Sequence, residues 1–155
     1  MLRDETKRDS YTEFFGLVEL RLRQALIASF GPEVGRESSS EALAYGWEHW
    51  DRVSLMDNPE GFLYRVGQTH AGRLRRRDRV VLPLVGVNST PWVEPGLPRA
   101  LEMLSERQRT VVVLTLAYEW SMSEVAGLLG VSKATVQSYS DRAQRRLRRS
   151  LGADL

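Results

Sequence analysis

The stretch EVAGLLGVSKATVQSYSDRAQRRLRR, Glu124 to Arg149, carries the local signals that decide the fold. Just upstream, Ser121-Met122-Ser123-Glu124 sets a hydroxyl and a carboxylate three residues apart, the spacing at which each side chain satisfies a backbone N–H at a helix start. Val125, Ala126, Leu128 and Leu129 then form an apolar run that Gly130 ends, because glycine takes the left-handed backbone after a helix without steric cost. Val131 packs, and Ser132 caps the next helix, its hydroxyl being a good acceptor for the first free N–H groups. The inward set of that helix, Val136, Ser140, Ala143 and Leu147, recurs at steps of four, three and four, the period of one helix face. Two helices joined by so short a turn, with glycine at its start, predict a helix-turn-helix.

Working outward, Ser105-Glu106-Arg107-Gln108 is another capping box, and it launches an inward run through Val112, Val113, Leu116 and Ala117. Before it, Pro98 opens a short helix with Leu101 and Leu104 inward. Residues 80–97, VVLPLVGVNSTPWVEPGL, hold Pro83, Pro91 and Pro95 and no long period. Proline fixes the backbone and removes donors, so this is expected to be a semi-extended linker between separate cores. The domains expected are therefore 1–79 and 98–155.

The N-terminal block reads as three helices. Tyr11 to Phe30 places Phe14, Phe15, Val18, Leu22, Leu26 and Phe30 near one face, and Gly31-Pro32 stops it. After the polar stretch Gly35 to Ser40, a second helix is expected from a serine cap at Ser40, with Leu43, Trp47, Trp50 and Val53 or Ser54 inward. Asn58-Pro59-Glu60 reads as N-cap, first-turn proline and a carboxylate facing the dipole. The third helix carries Phe62, Leu63, Val66, His70 and Leu74 on its inner side and runs into an arginine cluster, Arg73 to Arg79. The fold class is all-α.

Composition sets the remaining bounds. The 155 residues are 42% hydrophobic and 27% charged, and there is no cysteine, which excludes a disulfide scaffold, a thiolate zinc site and a thiol nucleophile. No apolar run is long enough to span a bilayer, and MLRDETKRDS lacks the pattern of a secretory signal, so residence in the cytosol without membrane contact is expected. His49 and His70 are the two histidines, and without HExxH, paired carboxylates, a phosphate-cradling glycine loop or GxSxG, no catalytic residue, metal or cofactor is assigned. Net charge is only +2, but it is uneven: residues 1–97 balance to −1 and residues 98–155 to +3. Nearly all the positive charge is arginine, with a further bunch at Arg142, Arg145, Arg146, Arg148 and Arg149. Guanidinium suits phosphates and base edges.

With its inner face assigned, the last helix would present Lys133, Thr135, Gln137, Ser138, Asp141, Arg142 and Arg145 to a major groove. Gln pairs bidentately with adenine and Arg with guanine, while Lys and Ser reach phosphate or either base. A polar outer face is also what any surface helix shows. Asp141 is the odd member: a carboxylate facing DNA lowers affinity unless it accepts from a cytosine amino group or orients Arg142. In the N-terminal block, Trp47 and Trp50 at a spacing of three suit a core more often than a stacking platform, His70 suits packing more than ligation, and an arginine run is usually a solvated helix end.

Glu124 to Arg149 resembles region four of the extracytoplasmic-function sigma factors of the sigma-70 family, and LSERQRTVVVLTLAYEWSMSEVA resembles the helices preceding it. WEHWDRV from Trp47, NPEGFLYRV from Asn58 and the Arg73-to-Arg77 finish are similar to the family's region two. The resemblance covers nearly the whole chain and implies two small helical domains, one region 2-like and one a region 4-like helix-turn-helix. It implies a factor that binds core RNA polymerase and promoter DNA, with an anti-sigma factor as a candidate further partner. The outward residues of the last helix would read the −35 element. The loop Val53 to Asn58 would trap a base of the melted −10 element through Met56, Asp57 and Asn58. Arg65, Gln68, His70, Arg73, Arg75, Arg76 and Arg77 would line the strand, and Glu41, Tyr45 and Glu48 of the second helix would meet the polymerase.

The chain departs from the family at Glu37 to Tyr45, ESSSEALAY, where an Asp and a Gln are usual, and at Thr69, where Asn is usual. Two other function classes follow: a polymerase-independent helix-turn-helix regulator, and a sigma-like protein acting mainly through protein partners.

Overall fold

The computed structural model describes residues 2–78 and 96–152, so the expected linker lies almost wholly outside the described residues. Among these there are helices and no strand: α1 (Leu2–Phe30), α2 (Pro32–Glu48), the single turn α3 (Trp50–Val53), α4 (Pro59–Asp78), α5 (Leu97–Glu102), α6 (Glu106–Val112), a π-helical turn (Val113–Ala117), α7 (Met122–Leu129) and α8 (Lys133–Ser150). Helix α1 begins well before the Tyr11 expected, and it buries Val18, Leu22, Leu26 and Phe30 while leaving Phe15 exposed.

Helix α2 corrects the expectation of a serine cap at Ser40. It starts at Pro32, directly after Gly31, and takes the polar stretch into its first turns, burying Gly35, Ser38 and Ser39. The reason is a helix crossing: a Cβ on Gly35 would lie 2.5 Å from the Ile27 backbone, so small residues here let α1 and α2 approach. The helix then ends at Glu48, one turn short of the expected run, and α3 carries Trp50 and Val53 inward. Trp47 is 38% exposed against 6% for Trp50, so only one of the two indoles is a core residue. On α4 the buried face is Leu63, Tyr64, Gly67 and Ala71, while the expected Phe62, Val66, His70 and Leu74 are half-buried.

In the second half the capping signals all form. Ser105 and Gln108 close one box and Ser121 and Glu124 another, Gly130 takes φ 67°, and Ser132 Oγ accepts from Thr135 N. The expected inward run after α6 does not continue. The backbone widens into the π turn, Leu116 faces out at 65% exposed, Ala117 is exposed, and Trp120 is the residue that turns inward. One extra residue per turn shifts the facing of everything after it.

The two halves do not hold separate cores as expected. Their buried side chains join in one cluster running from Leu22 and Leu26 of α1 through Tyr64 to Val111, Leu114, Val125 and Val136.

Candidate nucleic-acid interface

Helix α8 owes its orientation to three local devices: the Ser132 cap, the Gly130 turn, and the buried stripe Val136, Ser140 and Ala143. These leave Lys133, Gln137, Ser138, Asp141, Arg142 and Arg145 exposed together. Thr135 stands apart, half-buried, with its hydroxyl 2.8 Å from Ser132 Oγ in the cap. Leu147 is half-buried at the end of the stripe.

The guanidinium groups of Arg142, Arg145, Arg146 and Arg149 line a shallow cleft of about 200 Å³ with Gln108. Arg146 Nη1 donates to Gln108 Oε1 at 3.2 Å. Among the described residues none of these arginines is ion-paired. Their charge is therefore free for an anion, and at the C-terminal end of α8 it also complements the helix dipole. Asp141 does not orient Arg142: Gln137 Nε2 donates to its Oδ1 at 3.0 Å, and Arg145 Nε points at its backbone oxygen, 3.5 Å away.

Of the residues expected to hold a single strand, Asn58 and Gln68 sit where the halves meet. Asn58 Oδ1 accepts from Gly61 N at 3.1 Å, and Asn58 Nδ2 donates to Gly127 O of α7 at 2.6 Å. Both polar groups are thus engaged. Gly61 permits the approach, since a Cβ there would lie 2.9 Å from Leu128 O. Met56 is half-buried against the core and Asp57 is exposed. Gln68 Nε2 donates to Glu106 Oε2 at 3.0 Å, so it too faces the second half. Arg65 and Arg73 are exposed, and Arg75 lies over the Phe30 ring at 5.9 Å. Arg76 and Arg77 fall on α4 with side chains outside the described ones.

Glu41, Tyr45 and Glu48 come together as expected of neighbours on one helix face, lining a cleft of about 330 Å³ with Val66, Thr69, His70 and Arg73 of α4. Tyr45 stacks on His49 at 4.0 Å and its hydroxyl accepts from Arg52 Nη2. His70 is half-buried, its Nε2 3.8 Å from Glu37 Oε1.

Further contacts between the halves are not foreseen from the sequence. Arg109 is 4% exposed, and its Nε and Nη2 both donate to Ser29 O, at 3.2 and 2.7 Å. Ser29 lies in the last turn of α1, which has no basic residue of its own, so Arg109 supplies the cation that a helix C-terminus favours. Burial, with help from the nearby Arg75 charge, lowers the Arg109 pKa. Beside it, Ser29 Oγ donates to Ala25 O, so Tyr64, 2.6 Å away, is the donor in their bond, and Thr110 Oγ1 completes the group at 2.8 Å. Burial pushes the Tyr64 phenol up, keeping that donor protonated.

At the surface, Arg21 donates to Glu60 at 3.1 Å and to Glu124 at 2.6 Å, and its guanidinium lies 4.3 Å from the Trp120 ring centroid. The hydrogen bond from Arg21, then those within the Ser121 box, hold the Glu124 carboxyl below its ordinary value. A depressed carboxyl pKa stabilises the fold above the unfolded value of about 4.3 and loses that contribution as pH falls through the folded one. Acid titration of unfolding should therefore show an acid limb that Glu124→Gln flattens; identical limbs for both proteins would remove Glu124 from this role.

Residues 96–147 match the family model "Sigma-70, region 4". The RNA polymerase sigma-E factor of Streptomyces avermitilis is 34% identical over 121 residues, 71% of this chain and 66% of the relative. The chain belongs to the extracytoplasmic-function sigma factors of the sigma-70 family. It spans just under two thirds of that relative's length. Its fold is shared by the sigma factor RpoE of Bartonella quintana, solved in complex with the anti-sigma factor NepR, with a TM-score of 0.63, 23% identity, and 94% of this chain and 99% of that one covered. It is shared likewise by CnrH, solved with the cytosolic domain of CnrY, with a TM-score of 0.60, 23% identity, and 96% and 91% covered. Among the described residues no helix of this sigma factor is long and apolar enough to cross a membrane.

Proposed function

We propose that this sigma factor binds core RNA polymerase and directs it to promoters, the C-terminal helix-turn-helix reading the −35 element and the N-terminal block the −10 element. The observation that carries this is the outward face of α8, where guanidinium groups free of ion pairs among the described residues share an exposed face with Gln137 on a helix capped by Ser132. Polymerase would dock at the α2 face bearing Glu41, Tyr45 and Glu48, and the chain itself would hold no catalytic site. Capture of a base by the loop before α4 requires Asn58 to leave Gly127, so strand binding and the docking of the two halves compete for one amide. An anti-sigma partner, like NepR in the complex of RpoE, would bind in competition with polymerase, in the cytoplasm.

Run-off transcription with core polymerase tests the proposal. The wild-type chain should stimulate initiation from a cognate promoter, and Arg142→Ala with Arg145→Ala should remove most of that stimulation while core polymerase is still retained on the tagged protein. A chain that never retains core polymerase would overturn it. One observation favours a second reading, a reader of duplex DNA acting alone: α8 is exposed while Asn58 is engaged. Footprints without polymerase would support that reading instead.

A further inference from the structure

Asp141 is a carboxylate on a helix with five arginines in residues 142–149, yet it is ion-paired to none of them. Its oxygen Oδ1 instead accepts from Gln137 Nε2, one turn earlier on the same exposed face, at 3.0 Å. Arg145, one turn later, approaches the Asp141 backbone oxygen rather than the carboxylate. We propose that Asp141 is a positioning residue that fixes which way round the Gln137 amide meets a base, and so sets discrimination of adenine from guanine. The inference rests on α8 reading the −35 element.

An ionised carboxylate only accepts hydrogen bonds, so it holds the Gln137 NH₂ toward itself and turns Oε1 away. One amide N–H and Oε1 are left facing outward as an adjacent donor and acceptor. Adenine presents the complement in the major groove, N7 as acceptor and N6–H₂ as donor. Guanine presents two acceptors, N7 and O6, and the fixed Oε1 would be set against O6. Without Asp141 the amide turns over at little cost and offers both N–H groups to guanine. The negative charge has a second effect: it repels phosphate at every sequence, so Asp141 lowers overall affinity while it sharpens choice.

The experiment loads the full-length chain on core polymerase and selects from duplex DNA randomised across the −35 region. Gln137→Ala identifies the position it reads. There, wild type should prefer adenine to guanine, and Asp141→Ala should lower that preference about tenfold while raising total binding. Asp141→Asn, which can donate as well as accept, should relax it similarly, and Asp141→Glu, still acceptor-only, should restore it. In a Gln137→Ala background, Asp141→Ala should leave base preference unchanged. An unaltered adenine preference in Asp141→Ala, or weaker binding to all sequences alike, would overturn the inference with the −35 reading intact. A wild-type holoenzyme that selects no sequence would overturn the −35 reading itself.

Discussion

Replacing Arg109 with methionine should lower the unfolding free energy by about 3 kcal/mol. Methionine keeps much of the side-chain volume but donates nothing, so Ser29 O loses both of its guanidinium donors at a buried site. A charge-assisted hydrogen bond contributes about 1.5–3 kcal/mol, and desolvation of the abandoned carbonyl adds to the loss. The effect bears on function because Ser29 and Arg109 belong to different halves of the molecule, so the substitution weakens their docking as well as the fold. Urea denaturation followed by circular dichroism measures it. Arg142→Ala, on the exposed face of α8, is the control and should stay within about 0.5 kcal/mol of wild type. Equal midpoints for Arg109→Met and wild type would show that the guanidinium is not holding α1 to α6.

Gly35→Ala should cost about 2–3 kcal/mol, against the direction that helix propensity alone gives. In an open helix position alanine is better than glycine by about 1 kcal/mol. At Gly35 the added carbon would meet Ile27 Cα and N at 2.5 Å, and backbone cannot rotate aside as a side chain can, so α1 and α2 must move apart. Gly72 on α4 provides the contrast, because a Cβ there meets nothing within 4 Å. Gly72→Ala should therefore stabilise the protein by about 0.5–1 kcal/mol. Thermal unfolding of the two variants should move in opposite directions, and a shared direction would refute the crossing as the reason for glycine.

Gly35 also explains why α2 starts earlier than its local sequence suggests. Ser38, Ser39 and Gly35 are poor helix formers judged singly, and their polar character suggested a connection between helices. Their value is their small size at a crossing, and size matters only once the partner helix is in place. Leu116 is a similar case: its spacing after Val112 suits a continuing α-helix, and the π turn that exposes it accompanies the inward turn of Trp120, whose Nε1 donates to Gln24 of α1. Asn58 is legible as an N-cap from Asn58-Pro59-Glu60, but its bond to Gly127, 69 residues away, leaves no trace in the local pattern.

The caps at Ser105, Ser121 and Ser132, the turn at Gly130 and the outward face of α8 could all be deduced from the order of residues, because each depends on partners within about one helical turn. The meeting of α1 with α6, the engagement of Asn58 and the burial of Arg109 required the folded molecule. Those contacts join residues such as Ser29 and Arg109, 80 positions apart, and no periodicity in the chain encodes which distant groups will be brought to hydrogen-bonding distance.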